Sequence, residues 1–246
     1  PAITAALAAH LTGRPAKTVY DRDDDMRITG KRHDFITSYK VGFDENGLIQ
    51  ALRFQHDMRC GMSMDLSSAI AERALMHSEN SYHIQNIEIV ANLYKTNTPS
   101  NTAFRGFGGP QGMLAMERVI DHIAHFLKLD PLIIRKRNFY ADHQTRNRQV
   151  QRTPYGQIVN DCIINDLVDT LEQTSNYKNR RQEIENFNKL SNNIKRGISL
   201  TPVKFGISFN KLMLNQAGAL VHVYSDGSVY LNHGGIEMGQ GTHTKI

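Results

Sequence analysis

The sequence contains no tryptophan and two cysteines in 246 residues. Cys60 and Cys162 lie far apart, with no CxxC spacing and no histidine at metal-ligand spacing, so neither a disulfide framework nor a zinc site is indicated. No apolar run approaches the ~20 residues of a membrane span and no secretory leader pattern is present, so a cytoplasmic location without a membrane partner is expected. The acidic cluster Asp21-Arg22-Asp23-Asp24-Asp25 lacks the glycine and the glutamate that a calcium loop needs at its sixth and twelfth positions. It reads as a solvated turn. No internal repeat is found, and the start on Pro1 and the stop at Ile246 suggest a piece of a longer protein.

What is present is an ordinary globular composition, 40% hydrophobic and 22% charged, enough for one large or two modest domains. The net charge is +5 and the isoelectric point about 9.2. The basic residues are scattered apart from Arg135-Lys136-Arg137 and the run from Arg146 to Arg152, which favours solvated faces over a nucleic-acid surface.

Residues Ile3 to His10 read as a helix stopped at Gly13, and Lys17 to Tyr20 as a short strand. Phe35 to Phe43 and Leu48 to Phe54 alternate about Asn46-Gly47, the pattern of a β-hairpin. Met58 to Leu66 reads as a loop whose methionines fill core gaps, and Ser67-Ser68 as the cap of a helix to His77. A strand over Asn86 to Tyr94 and helices from Pro110 to Leu127 and Pro131 to Asn138 follow. Beyond a polar linker over 139–160, helices at 161–174 and 177–188 precede strands at 204–209, 218–224 and 229–232. The sum is an α/β chain of mixed helices and sheets in two lobes.

Two glycine clusters stand out. Asn101-Thr102-Ala103-Phe104-Arg105-Gly106-Phe107-Gly108-Gly109-Pro110-Gln111-Gly112 holds four glycines in seven positions and runs into a helix N-terminus, where main-chain N–H groups favour polar or anionic ligand atoms. Gly234-Gly235-Ile236-Glu237-Met238-Gly239-Gln240-Gly241 follows a strand and is equally rich in N–H groups. Its spacing fits neither a dinucleotide fingerprint nor a P-loop.

Ser100 to Gly112 resembles the signature loop of the xanthine dehydrogenase family of molybdenum hydroxylases. Corresponding passages include Glu72-Arg73-Ala74-Leu75, Lys95-Thr96-Asn97, Lys204 to Phe209, Asn215 to Ala219 and Gly234 to Lys245. The resemblance covers nearly the whole chain and is weakest over Ala141 to Lys195. It implies residues 1–138 as part of a first molybdenum-cofactor-binding domain, 139–160 as a linker, and 161–246 as part of a second.

The reaction implied is hydroxylation of hypoxanthine and xanthine to urate, with oxygen from water and hydride passing to molybdenum. Arg73 corresponds to the family's substrate arginine, whose fork of donors suits a purine oxo group and developing negative charge. Phe107 and Phe209 correspond to two aromatics flanking a flat heterocycle, and Asn210 stands where relatives often have threonine. Phe104, Arg105 and Gly106 correspond to the loop beside the metal ligands, with the Arg105 backbone nearest, and Gly239, Gln240 and Gly241 to the segment that binds the pterin.

The cofactor implied is molybdopterin, with or without a cytosine dinucleotide. FAD and 2Fe-2S clusters are implied on other segments or subunits of a dimeric enzyme. The family's base glutamate and a second substrate carboxylate correspond to positions outside residues 1–246, so this piece alone is not expected to turn over. An aldehyde oxidase or another heteroaryl hydroxylase is the nearest alternative. A basic module contacting single-stranded nucleic acid through Arg105 to Gly109 is a rival of another class, weakened by the lack of repeated Arg/Gly units.

Overall fold

The computed structural model describes residues 2–141, 150–210 and 212–246. Helices and two sheets alternate along it, the mixed architecture expected. The middle of the expected linker, 142–149, lies outside the described residues, and with it most of the Arg146 to Arg152 run.

Helix α1, Ala2–Thr12, buries no residue. The expected strand at Lys17 to Tyr20 has no ladder partner, and the acidic turn is a short helix, α2, Arg22–Ile28. Asp21 caps it by accepting from the Asp24 amide, and Asp23, Asp24 and Asp25 fill its first turn. There the helix dipole favours negative charge, so the clustering that suggested a turn builds a helix start.

Strands β1, Phe35–Phe43, and β2, Ile49–Gly61, form the expected hairpin. Strand β2 is longer than its alternation suggests, running through Met58 and Cys60, so the expected loop begins only at Met62. Met58 is core, whereas Met62 is 65% exposed and fills no gap. Strand β3, Ile87–Lys95, pairs parallel to β2, and the connection carries helix α3, Ser67–His77. Parallel neighbours require such a crossover. Ser67 does not cap α3: Leu66 occupies that position, and Ser67 is buried with its hydroxyl 2.7 Å from His33 Nε2.

Helix α4, Gly109–Leu127, lays Met116, Val119, Ile120, Ile123 and Ala124 against the sheet beside α3. On β2, Leu52, Phe54, His56, Met58 and Cys60 point into this layer while Arg53, Gln55 and Arg59 face out, the period-2 pattern of a half-covered sheet. His56 is wholly buried. Ser78 Oγ donates to the Ala74 carbonyl, so it accepts from His56 Nε2–H, which leaves Nδ1 to accept from Thr37.

Helix α5, Pro131–Asn138, is capped by Asp130 and carries the one member of the Arg135–Arg137 run that is not solvated. Arg135, 1% exposed, pairs with Glu117 at 2.8 Å and Asp121 at 3.0 Å, and Tyr82 donates to Glu117 at 2.6 Å. Phe139, Tyr140 and Ala141, at the start of the expected linker, are buried. Helices α6, Ile164–Thr174, and α7, Tyr177–Leu190, follow, tied to α5 by Lys136–Asp169 and Arg181–Asp130 ion pairs.

The expected strand over Lys204 to Phe209 has no regular secondary structure and joins no sheet. A short 3-10 turn, Leu212–Leu214, leads to a separate hairpin of β4, Ala219–Val223, and β5, Val229–His233, closed by Asp226-Gly227. The chain ends on α8, Thr242–Lys245.

Candidate cofactor and substrate site

The first glycine loop enters α4 through three consecutive residues of positive φ: Gly106 (+91°), Phe107 (+53°) and Gly108 (+99°). For phenylalanine the left-handed region costs about 1–3 kcal/mol and persists only where the surroundings fix it. The fixing is local. Phe107 N–H donates to Phe104 O at 2.8 Å and Gly109 N–H to Gly106 O at 3.0 Å. A Cβ on Gly108 would lie 2.1 Å from the Ile70 carbonyl oxygen, and one on Gly112 2.5 Å from that of Ala74. These two glycines therefore let α4 press against the backbone of α3, the helix that carries Arg73.

Phe107, turned by that backbone, meets Phe209 with ring centroids 5.2 Å apart and planes inclined at 53°. A tilted pair presents one face and one edge rather than two parallel walls. Phe209 belongs to the 204–209 segment, whose backbone groups are bonded to side chains instead of a neighbouring strand. Lys204 N–H donates to Asn80 Oδ1 at 3.0 Å and Gly206 N–H to His77 Nε2 at 3.0 Å. Arg73 donates to the carbonyls of Gly206 (Nη1, 2.6 Å) and Ser208 (Nη2).

Arg73 is only 6% exposed, and its Nε has no partner. Of the five N–H donors of a guanidinium two are engaged, which leaves three. Burial lowers its pKa from the ordinary value, yet an arginine stays charged. Phe205 lies under it, 5.1 Å from ring centroid to Cζ, and against the His77 ring. His77 Nδ1 contacts the Arg73 carbonyl at 2.8 Å, so Nδ1 carries the proton and Nε2 accepts. Burial depresses its pKa, and Arg73 and Lys204 push the same way, which keeps the imidazole neutral.

Asn210 adjoins this cluster. Its Nδ2 donates to Ala69 O at 2.9 Å and Glu72 Oε2 at 2.8 Å, which fixes the amide orientation and leaves a buried Oδ1 without a partner. Deeper in, Lys204 pairs with Glu79, whose carboxyl burial pushes up despite the ammonium beside it. A cavity of about 410 Å³ opens behind Lys204, between Tyr140, Tyr155 and Ile163, but neither Arg73 nor Phe107 nor Phe209 lines it.

The second glycine loop is reached through Arg105, whose Nη1 donates to Met238 O at 2.8 Å. Arg32 braces the first loop from below, donating to Arg105 O at 2.7 Å and covering the Phe104 ring at 4.4 Å. Gln240 is turned into its own loop: Oε1 accepts from Met238 N–H, and Nε2 donates to Ile236 O and Thr242 Oγ1, both at 2.7 Å. Glu237 closes the turn, accepting from Gly239 N–H at 2.6 Å, Gly241 N–H at 3.2 Å and His243 N–H at 3.3 Å.

Two groups emerge. Arg73, Phe107, Phe209 and Asn210 converge on α3, and Phe104, Arg105, Gly106, Gly239, Gln240 and Gly241 border them through the Arg105–Met238 bond. His77, Phe205, Glu72, Arg32 and Glu237 were not foreseen from the sequence. His77 alone had a signal, since it lies one helical turn beyond Arg73 on the same face. Among the described residues no three His, Cys, Asp or Glu side chains converge to hold a metal ion. The unpaired polar groups here are instead the Arg73 Nε–H donor and the Asn210 Oδ1 acceptor, which can bind a polar organic molecule by hydrogen bonds.

Comparison with known proteins gives the family and the fold. The molybdopterin cofactor-binding domain family matches residues 1–139, and a second family of the same description matches residues 170–246. The chain is 46% identical to xanthine dehydrogenase of Drosophila subobscura over 247 aligned positions and 48% identical to mouse xanthine dehydrogenase/oxidase over 243. These alignments cover 100% and 98% of the chain, which spans 18% of each relative. Among solved structures, aldehyde oxidoreductase from Desulfovibrio desulfuricans ATCC 27774 superposes with TM-score 0.75 at 26% identity, covering 92% of this chain and 23% of that one. CO dehydrogenase from Oligotropha carboxidovorans shares the fold at TM-score 0.69 and 19% identity, covering 97% and 31%. The chain belongs to the molybdopterin cofactor-binding domain family.

Proposed function

We propose that this chain is the part of a xanthine dehydrogenase that grips the pterin and one side of the purine, in an enzyme that hydroxylates hypoxanthine and xanthine to urate. The observation that carries this reading is Arg73: a buried guanidinium with three unused donors, set beside the tilted Phe107–Phe209 pair. A planar purine held by its faces and edges against the rings brings an oxo group to the guanidinium, where charge built up on that oxygen is stabilised. The unpartnered Oδ1 of Asn210 accepts a ring N–H at the rim of the same site. When bound, a pterin carrying molybdenum would supply the two-electron acceptor.

The two glycine loops, joined by Arg105, form the cofactor side of the site, with Gly239, Gln240 and Gly241 along the pterin and Phe104, Arg105 and Gly106 near the metal ligands. A cytosine dinucleotide on the pterin is the alternative form of the cofactor. Residues 1–138 and 161–246 act as parts of two cofactor-binding domains. The complete enzyme is a cytoplasmic dimer with FAD and 2Fe-2S centres on other segments or subunits. No helix among the described residues is long and apolar enough to cross a membrane.

The structural likeness to an aldehyde oxidoreductase keeps simple aldehydes as the second substrate class. In the full-length enzyme, Arg73→Ala lowers kcat/KM for xanthine by about 10²–10³ and that for a small aromatic aldehyde far less. Equal losses on both substrates would mean that Arg73 only holds the 205–209 segment, and the purine assignment would fall.

A further inference from the structure

The structure assigns Glu237 a role of its own: we propose that its carboxylate is the built-in anion that sets the second glycine loop in the shape that receives the pterin. This rests on the reading of that loop as a cofactor wall. Gly239 (φ +91°) and Gly241 (φ +83°) lie in the left-handed region, which leaves their N–H groups pointing to the inside of the turn. Turned-in N–H groups need an acceptor, and Glu237 supplies both of its oxygens: Oε1 to Gly239 and Gly241, Oε2 to His243.

Its half-buried position works to raise its pKa, but N–H groups of Gly241, Gly239, His243 and Thr242 outweigh this and hold the carboxyl below its usual range. The consequence reaches beyond the turn. With the 237–243 backbone clamped, the Met238 carbonyl faces outward to accept from Arg105, and the Gln240 side chain folds across Ile236 and Thr242. Glu237 is thus a positioning residue. It acts by fixing the backbone that Arg105 and Gln240 engage.

The test uses the full-length enzyme with Glu237→Ala and Glu237→Gln, read by pterin per protomer after release and oxidation to the fluorescent product. Glu237→Ala is expected to lower pterin occupancy on the order of ten-fold, since several charge-assisted bonds go together. Glu237→Gln keeps an oxygen for Gly239 and Gly241 and restores occupancy part-way. Wild-type occupancy in Glu237→Ala, or Glu237→Gln no better than Glu237→Ala, overturns the proposal. If Glu237→Ala does not fold, Glu237→Gln decides alone: a reduction of about three-fold supports the role and full occupancy ends it. A wild-type protein carrying no pterin would instead refute the cofactor reading itself.

Discussion

A methyl group added to Gly108 would sit 2.1 Å from the Ile70 carbonyl oxygen, whereas one added to Gly241 would meet nothing within 4 Å, although both residues have positive φ. In the first loop glycine answers to packing: α4 approaches α3 so closely that backbone touches backbone. At Gly241 in the second it answers to dihedral angle alone, with the N–H groups of Gly239 and Gly241 gathered onto Glu237. The same residue type therefore makes one loop rigid from outside and the other from within. The first packs, through Phe107, on the cluster of Met58, Cys60, Ile70 and Ala71 between the three-stranded sheet and α3, and the second follows a hairpin whose residues are nearly all exposed.

That contrast can be broken most forcefully at Gly108. Gly108→Ala combines a forbidden backbone angle with a clash against main chain and is expected to cost about 3–4 kcal/mol. Urea unfolding of the intact polypeptide measures it, and a cost below about 1 kcal/mol would mean that α3 and α4 can separate freely.

Acid provides the next largest effect. Burial lowers the pKa of His56 from 6.5 to about 4 and lowers those of His33 and His77 in the same direction, all around α3. Below pH 6.5 the unfolded chain binds protons that the folded one refuses, so stability is complete above 6.5 and declines as pH falls towards 4. The His56 shift alone amounts to about 3 kcal/mol once that range is crossed. Replacing His56 with glutamine, which retains a donor and an acceptor, should flatten the acid limb. An unchanged limb would remove His56 from the explanation.

The mildest change sharpens the comparison rather than breaking it. Gly241→Ala meets open space and bears only the left-handed penalty, about 1 kcal/mol. Its melting transition should stay close to that of wild type, and a loss as large as that of Gly108→Ala would show an unforeseen neighbour.

The hairpin of β1 and β2 was legible in sequence because alternation and an Asn-Gly turn are local signals, and α4 was legible from its Pro110 start and apolar stripe. The parallel pairing of β2 with β3 was not, since periodicity says which face is buried but not which strand is the neighbour. The 204–209 stretch misled for a related reason. Val203, Phe205, Ile207 and Phe209 alternate as a strand does, yet Ile207 is 97% exposed and the backbone groups are satisfied by Arg73, His77 and Asn80. Side-chain partners of that kind leave no trace in the segment itself. Arg73, Phe107 and Phe209 stood out through resemblance, and their convergence on α3 needed the fold. Glu237 looked like one acidic residue among glycines until its N–H partners were seen.

The bonds from Arg73 to the 204–209 segment span 133 and 135 residues of sequence. Closing so long a loop costs about 2 kcal/mol more in chain entropy than closing one of about 15 residues, and contacts of this separation are repaid late in folding. The β-hairpin and α3–α4 pair can collapse first, on local contacts. The 204–209 segment is then expected to dock after α3 has formed, since the guanidinium that holds it is presented by that helix.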